Sequence, residues 1–371
     1  MAVRDGDDRQ APVNGQRPRR SWLRSQGRRT ANRATYSALD LGTNNCRLLI
    51  AKPVPGGFRV IDAFSRIVRL GEGVTQTGRL SEPAMTRTIE ALQVCARKIE
   101  RRRVTCMRHV ATEACRSAAN ADAFVSRVRS ETGLNLDIIS PAEEARLAVL
   151  GCQTLLDAGR RHAIVFDIGG GSTELIWVEQ ADGDEIDIRA WTSLPLGVVT
   201  LSERFDRTCI SPQVYRQMIE LVADQLDLFE AEHGLAPRID RGEVQLLGTS
   251  GTVTTLASLA LKLTRYDRNK VDGALMDTAD IRRLSRKVAL MDYDERAAQP
   301  CIGPERADLV VPGCAILDAI LAKWPVARLR IADRGIREGL LRGLMRSDPV
   351  VNGDNGDNGD RGGRPDAAAQ T

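Results

Sequence analysis

Phe166-Asp167-Ile168-Gly169-Gly170-Gly171-Ser172-Thr173-Glu174 is the stretch on which the fold turns. The apolar run Ala163–Asp167 reads as a strand ending in a carboxylate, and Glu174–Val178 reads as the strand leaving the turn. Three successive glycines remove every Cβ between them, so backbone N–H groups can close on an anion. Two hydroxyls follow, and Asp167 and Glu174 bracket the loop with carboxylates of the kind that hold Mg²⁺. A plain hairpin turn with exposed acidic ends is the competing reading. Such a turn needs only one or two glycines, so a phosphate-binding loop over Gly169–Thr173 is preferred.

The pattern occurs twice. Leu39-Asp40-Leu41-Gly42-Thr43-Asn44 is also a strand end with Asp, then a glycine turn, and its Asp lies 127 positions before Asp167. Alone this segment is weak, but as the mirror of the later loop it makes Gly42, Thr43 and Asn44 candidate phosphate contacts and Asp40 a further candidate metal carboxylate. Strands are expected at Tyr36–Asp40, Cys46–Ala51, Phe58–Phe64, Val104–Ala111, Leu136–Ile139, Ile186–Leu194, Val244–Leu247 and Ala327–Ile331. Helices are expected at Pro83–Arg101, Asp122–Thr132, Pro141–Leu156, 212–232, 251–262, 279–290 and 305–323. This alternation indicates an α/β protein. A restart after about one domain length indicates two similar lobes facing each other across a cleft, a favoured place for a ligand.

Three further segments carry chemistry. Leu247-Gly248-Thr249-Ser250-Gly251-Thr252 joins an apolar strand to an apolar helix. It reads equally as a phosphate-facing helix N-terminus, with Gly248, Ser250 and Gly251 in contact, and as an ordinary turn capped by Ser250. Glu143-Glu144-Ala145-Arg146 opens the helix begun by Pro141. Acidic residues there also suit the helix dipole. The segment nonetheless precedes the second loop in a chain with only three histidines, and a water attacking phosphorus needs a base. Arg116 follows the strand ending at Ala111 and can hold a phosphate oxygen. No Gly-Lys-Ser/Thr loop and no Ser-His-Asp or Cys-His arrangement is found.

Composition bounds the rest. The 371 residues are 42% apolar and 27% charged, as in ordinary globular chains, and the length suggests two domains. No apolar run approaches the ~18 residues of a membrane span, and the Arg-rich start carries no apolar leader, so a cytoplasmic protein is expected. The net charge of +4 is uneven: residues 1–33 hold nine Arg and three Asp, residues 348–371 five Asp and two Arg. Both ends read as disordered, 1–33 as a solvated arm and 348–371 as a tail with three Asn-Gly-Asp repeats. The near-neutral body argues against a nucleic-acid binder, beyond non-specific contact by the arm. The eight Cys lack C-x-x-C spacing and share no ligand spacing with His, which disfavours zinc; a leaderless chain of this size also disfavours disulfides. The lobes are expected over 34–150 and 151–347.

Taken in order, Asp40–Arg47, Ala111–Ala118, Ser140–Arg146, Asp167–Glu174, Gly248–Thr252, Val311–Leu317 and Arg334–Leu341 resemble the exopolyphosphatase/guanosine pentaphosphate phosphohydrolase (Ppx/GppA) family of the actin-like ATPase superfamily. The resemblance covers nearly all of 34–346. It implies two ribonuclease-H-like lobes with catalysis between them. It also implies Glu144 as catalytic glutamate, Asp167 and Glu174 as metal-associated carboxylates using Mg²⁺ or Mn²⁺, and Arg116 as a phosphate contact. Loops 42–44, 169–173 and 248–252 would face phosphate and nucleotide. The implied activity is release of the terminal phosphate of polyphosphate, or conversion of pppGpp to ppGpp, by a homodimer. Asn45 stands where the first loop often has Ser or Thr, and longer relatives continue into an all-helical domain. A kinase of the same superfamily and a non-catalytic polyphosphate or alarmone sensor are the competing readings.

Overall fold

The computed structural model describes residues 34–181, 186–205 and 210–348. The arm 1–33, the tail beyond Asp348 and Cys209 lie outside the described residues. The strands are β1 Tyr36–Leu41, β2 Asn45–Val54, β3 Gly57–Ile67, β4 Cys106–Ala111, β5 Asp137–Ile138, β6 His162–Ile168, β7 Thr173–Gln180, β8 Ile186–Leu194, β9 Val244–Thr249, β10 Leu275–Asp277 and β11 Arg328–Ala332. The helices used below are α1 Glu82–Arg101, α2 Glu113–Ser117, α3 Ala121–Thr132, α4 Pro141–Cys152, α5 Val198–Arg204, α6 Pro212–His233, α7 Gly251–Ala260, α8 Thr278–Leu290, α9 Val310–Lys323 and α10 Ile336–Ser347.

Two mixed sheets form, in the orders β3-β2-β1-β4-β5 and β10-β11-β9-β6-β7-β8. The repeat inferred from sequence is one of topology. In each sheet the Asp-bearing strand, β1 or β6, pairs antiparallel with the next strand and parallel with one that arrives after a helix. Asp40 sits opposite Arg47, and Asp167 opposite Glu174. The two Asp therefore occupy the same place in their lobes.

Each lobe has its own core. In the first, Leu39, Leu41, Leu48 and Ile50 alternate inward and meet Ile89, Leu92 and Phe124 of α1 and α3. In the second, Ile164, Phe166, Leu175 and Leu246 meet Leu226 of α6, Leu256 of α7 and Ile316 and Leu317 of α9. Helix starts follow the serine-proline signal: Ser140 Oγ accepts the Glu143 amide at 3.2 Å and Ser211 Oγ the Val214 amide at 3.2 Å, each with Pro at the first turn.

The lobes are joined by exchanged helices. Ala145, Val149 and Cys152 of α4 pack on Val165, Ile176 and Val178 of the second sheet. Conversely, Ile336, Leu340 and Leu341 of α10 pack on Tyr36, Ala38 and Leu49 of the first. Helix α4 spans the boundary expected near residue 150, and α10 brings residues 336–347 back onto the first sheet. The sequence pattern places a helix over 305–323, but regular helix begins at Val310, after a turn through 303–309. It gives no strand at β10 and no helix from periodicity at α10. Strand β10 is three residues long, too short for a period-2 signal.

Candidate functional site

The two glycine turns are built alike. Gly42 N–H donates to the Asn45 carbonyl and Gly169 N–H to the Ser172 carbonyl, both at 2.9 Å. The loop carbonyls are then tied down from behind. Val198 and Val199, at the start of α5, donate to Gly169 and Gly170 carbonyls at 3.0 and 2.7 Å, and Thr200 Oγ1 donates to that of Gly171 at 3.0 Å. The N–H groups of Thr43, Asn44, Gly170 and Gly171 have no acceptor among the described residues. They line the cleft between the lobes. Asn44 is 8% exposed and its Oδ1 has no partner, a buried polar atom facing a polar cleft.

The glycines have a second reason that sequence did not give. A Cβ on Gly170 would lie 2.9 Å from Thr43 Cβ, and one on Gly171 2.7 Å from Thr43 Oγ1 and 2.8 Å from Glu113 Cγ. The two loops touch across the cleft. Gly248 is different: a Cβ there would strike the Phe166 ring, so it serves packing and does not line the cleft. Ser250 and Gly251 do line it. Ser250 Oγ accepts the Thr252 and Val253 amides at 3.1 and 3.3 Å, which caps α7, while its backbone sits at φ 155°, ψ 173°. That region is almost exclusive to glycine, and such strain collects at ligand-binding turns.

The first turn of α4 places Glu144 in the cleft wall at 6% exposure. Burial, then the Glu174 charge, push its carboxyl well above the usual carboxylate range, against the pull of Arg116. Arg116 Nη1 donates to Glu144 Oε2 at 2.7 Å and to the Ile139 carbonyl at 2.9 Å; its Nε and Nη2 donate to Glu113 Oε2 at 3.1 and 2.8 Å. The guanidinium is committed to carboxylates and is not part of the cleft lining. Neighbouring Glu143 faces the other way, toward Arg146 and Arg108, and is held below its ordinary value, first by the Arg146 hydrogen bond.

Asp40 and Asp167 both reach the cleft. Burial raises each, Asp167 to about 8 with Glu174 and Asp40 adding to the effect and Arg47 opposing it. Glu174 stands behind the loop, where Ser172 and Ser193 hydroxyls donate to Oε1 at 2.6 and 2.8 Å. Thr173 is fully buried and donates to the Leu196 carbonyl at 2.6 Å. The structure thus brings Asp40, Gly42, Thr43, Asn44, Glu144, Asp167, Gly169, Gly170, Gly171, Ser172, Ser250 and Gly251 together. Arg116, Thr173, Glu174 and Gly248 stand one layer behind.

Sequence reasoning missed three cationic residues. Arg47 lines the cleft beside Asp40, Arg306 lines its rim, and Arg337 lines the continuation past Asp40 and Asp167. None makes an ion pair among the described residues. Arg47 had a signal: it follows Asp40 by seven positions, as Glu174 follows Asp167. Arg306 had none, because it sits on a turn that periodicity reads as helix.

Repeated lobes of this topology, closing on glycine turns, buried carboxylates and free guanidinium groups, define a phosphate-handling protein of actin-like ATPase fold. The chain belongs to the Ppx/GppA phosphatase family, whose model matches residues 49–348, and is a hydrolase acting on phosphoanhydride bonds. It is 29% identical over 330 residues to exopolyphosphatase 2 of Mycobacterium tuberculosis, covering 83% of this chain and 98% of that one. It is 28% identical to the guanosine-5'-triphosphate,3'-diphosphate pyrophosphatase of Photobacterium profundum, covering 84% of this chain but 59% of that relative. Among solved structures, the Aquifex aeolicus family member superposes with a TM-score of 0.68 at 29% identity, over 85% of this chain and 99% of that one. An exopolyphosphatase-like protein gives 0.76 at 27% identity, over 84% and 98%.

Proposed function

We propose that this chain is an exopolyphosphatase that releases terminal phosphate by water attack, with Glu144 as general base. The observation that carries the reading is Glu144 itself. It is a buried carboxylate, held by Arg116 and raised by its surroundings, in a cleft wall shared with two loops of unpartnered N–H groups. A base works best with a pKa near the working pH, and burial moves a carboxyl that way. The N–H groups of Thr43, Asn44, Gly170 and Gly171 and the guanidinium groups of Arg47 and Arg306 stabilise charge on the transferred phosphoryl group. Phosphoryl transfer needs little beyond such positioning and electrostatics.

A divalent cation fits the residues present. Asp40 and Asp167 meet in one cleft with Arg47 as their nearby compensating charge, and both are raised by burial. Among the described residues no three His, Cys, Asp or Glu form a complete ligand set. Mg²⁺ or Mn²⁺ would therefore rest on one or two carboxylates, with phosphate oxygens and water completing the shell. Asp40 and Asp167 would hold it, Glu174 acting from behind through the loop. Bound there, the ion would neutralise phosphate charge.

A linear phosphate chain is favoured over pppGpp by two facts. Among the described residues no aromatic side chain on which guanine could stack lines the cleft. The relative matched over nearly its full length is the exopolyphosphatase. A homodimeric, cytoplasmic enzyme completes the reading, supported by the family resemblance; sedimentation of the purified chain tests the dimer. Phosphate release from short polyphosphate, long polyphosphate and pppGpp, measured side by side, tests the substrate. A kcat/KM for pppGpp above that for both polyphosphates would replace this reading with the alarmone one. Tight binding without any phosphate release would restore the sensor.

A further inference from the structure

A second polar cavity of 650 Å³ shares no lining residue with the cleft that holds Glu144. Its walls come from both lobes: the Gly56–Phe58 hairpin of the first, Arg268, Asn269 and Asp272 of the second, and Gly151, Thr154, Arg334, Glu338 and Arg342 where α4 and α10 cross. Two of its three guanidinium groups are neutralised. Arg334 Nε donates to Asp272 Oδ2 at 2.7 Å, and Arg268 Nη2 to Glu338 Oε1 at 2.7 Å.

Arg342 is the exception. It pairs with no carboxylate among the described residues, and its Nε is buried without any hydrogen-bond partner. Its guanidinium makes a single long bond among the described residues, from Nη2 to Thr154 Oγ1 at 3.4 Å, and Arg334 Nη1 donates to the same hydroxyl at 2.9 Å. Two guanidinium groups thus converge on one neutral oxygen. Burial, then Arg334 and Arg346, act against the charge on Arg342, and Glu338, already bonded to Arg268, opposes them more weakly. A half-buried cation with an unpartnered buried Nε, sharing one hydroxyl with a second guanidinium at the wall of an open polar cavity, is an arrangement an anion relieves.

We infer that this rear cavity is a second binding site, for an anion carrying several phosphoryl groups, clamped by Arg342 and Arg334 with Arg268 and Asn269 on its far wall. Guanidinium forks match phosphate bidentately. A single phosphate would leave most of the volume empty, whereas sites for larger ligands span ~300–1,000 Å³. An inorganic oligophosphate and a nucleoside triphosphate share this chemistry. The site shares no lining residue with the cleft proper, Arg334 lying also on the cleft's continuation, and it does not depend on which substrate is hydrolysed there.

The test is calorimetric titration of the full chain as Glu144→Gln, which slows turnover, with tripolyphosphate in one arm and GTP in the other. Two binding events are expected for at least one probe. Adding Arg342→Gln should weaken one event by about tenfold or more and leave the other in place. Arg283→Gln, which removes an exposed Arg283–Asp280 pair, should weaken neither. Tripolyphosphate binding alone assigns the site to the inorganic chain; binding of both assigns it to the shared triphosphate. A single event in both arms, or equal losses with Arg342→Gln and Arg283→Gln, overturns the proposal. Should Arg342→Gln fail to fold, hydrogen exchange on the Glu144→Gln chain decides. Tripolyphosphate or GTP should protect residues 56–58 and 151–154 as well as 169–172, and protection confined to 169–172 refutes the rear site.

Discussion

Replacing Arg116 separates two roles that its sequence position left open, a contact to phosphate and a hold on the base. Its guanidinium lies 2.7 Å from Glu144 Oε2 and 2.8 Å from Glu113 Oε2, with side chains 14% and 8% exposed at the Arg116–Glu144 pair. Unit charges ~4 Å apart at an effective dielectric of ~20 interact by ~4 kcal/mol, which bounds the effect from above. The charge is shared between two carboxylates, and an adjacent cation ordinarily lowers a carboxyl by ~1–3 pH units. Arg116→Gln removes that pull. Without the cation the charged form of Glu144 is disfavoured, its pKa rises further, and the acid limb of the rate profile moves to higher pH. At pH 7 kcat should fall by ~10- to 100-fold and recover substantially as the pH is raised, because on the acid limb the ionised fraction of the base changes about tenfold per pH unit. Arg116→Lys keeps the charge and should lie between. The assay is phosphate release from a short polyphosphate between pH 5.5 and 10 at fixed free Mg²⁺, with melting temperature measured alongside. A raised KM with an acid limb that does not move would show that Arg116 contacts phosphate and does not hold the base.

Glu144→Gln should lower kcat by ~10²-fold or more with KM little changed, whereas Glu143→Gln, which loses only its Arg108 and Arg146 pairs, should cost far less; parity between the two in a phosphate-release assay would reassign the base. Chelation by excess EDTA should abolish activity, and Asp167→Asn should raise the Mg²⁺ concentration needed for half-maximal rate more than Glu174→Gln does, since Asp167 lines the cleft and Glu174 does not; unchanged titrations would remove both from the metal site. Gly197→Ala should destabilise the fold by ~1–3 kcal/mol in urea unfolding, because its Cβ would strike the Gly170 carbonyl group, backbone that cannot rotate away; an unaltered midpoint would mean the loop is free to shift.

What could be read in the residues, and what could not, follows from the range of each signal. Asp40 and Asp167 were legible because a strand end, a carboxylate and glycines sit side by side in the chain. That the pair Glu143 and Glu144 opens α4 was legible because Ser140 and Pro141 fix where the helix begins, whereas Glu144 was singled out by the family resemblance and not by its position. The layer to which a residue belongs was not. Glu174 is as close to the glycine loop in sequence as Asp167, yet two serine hydroxyls, one of them nineteen residues away on β8, hold it behind the turn. Arg116 reads as a free cation until Ile139 and Glu144, brought to it by the β4–β5 pairing and the start of α4, occupy its donors. Arg306 could not be found at all, because an exposed turn residue gains its role only when the second lobe faces the first.

The exchange of α4 and α10 has a mechanical consequence. Each helix presents one end to the catalytic cleft and a later turn to the rear cavity: Glu144 and then Gly151 with Thr154 nearby on one, Ile336 and then Arg342 on the other. Where they meet, a Cβ on Gly151 would strike the Gly335 carbonyl, and one on Gly339 the Leu147 carbonyl. Backbone thus meets backbone at this crossing, and Leu147 of α4 packs beside Ile336 and Leu340 of α10, so the two helices are closely joined. The rear cavity draws its walls from both lobes, so an anion held there would touch elements of each. Binding there would bias the arrangement of the lobes only to the extent that two arrangements held the anion with different affinity. The carboxylate of Glu144 on α4 and the guanidinium of Arg342 on α10, the two groups on which the proposals rest, thus sit on helices in direct backbone contact, Gly151 against Gly335 and Gly339 against Leu147.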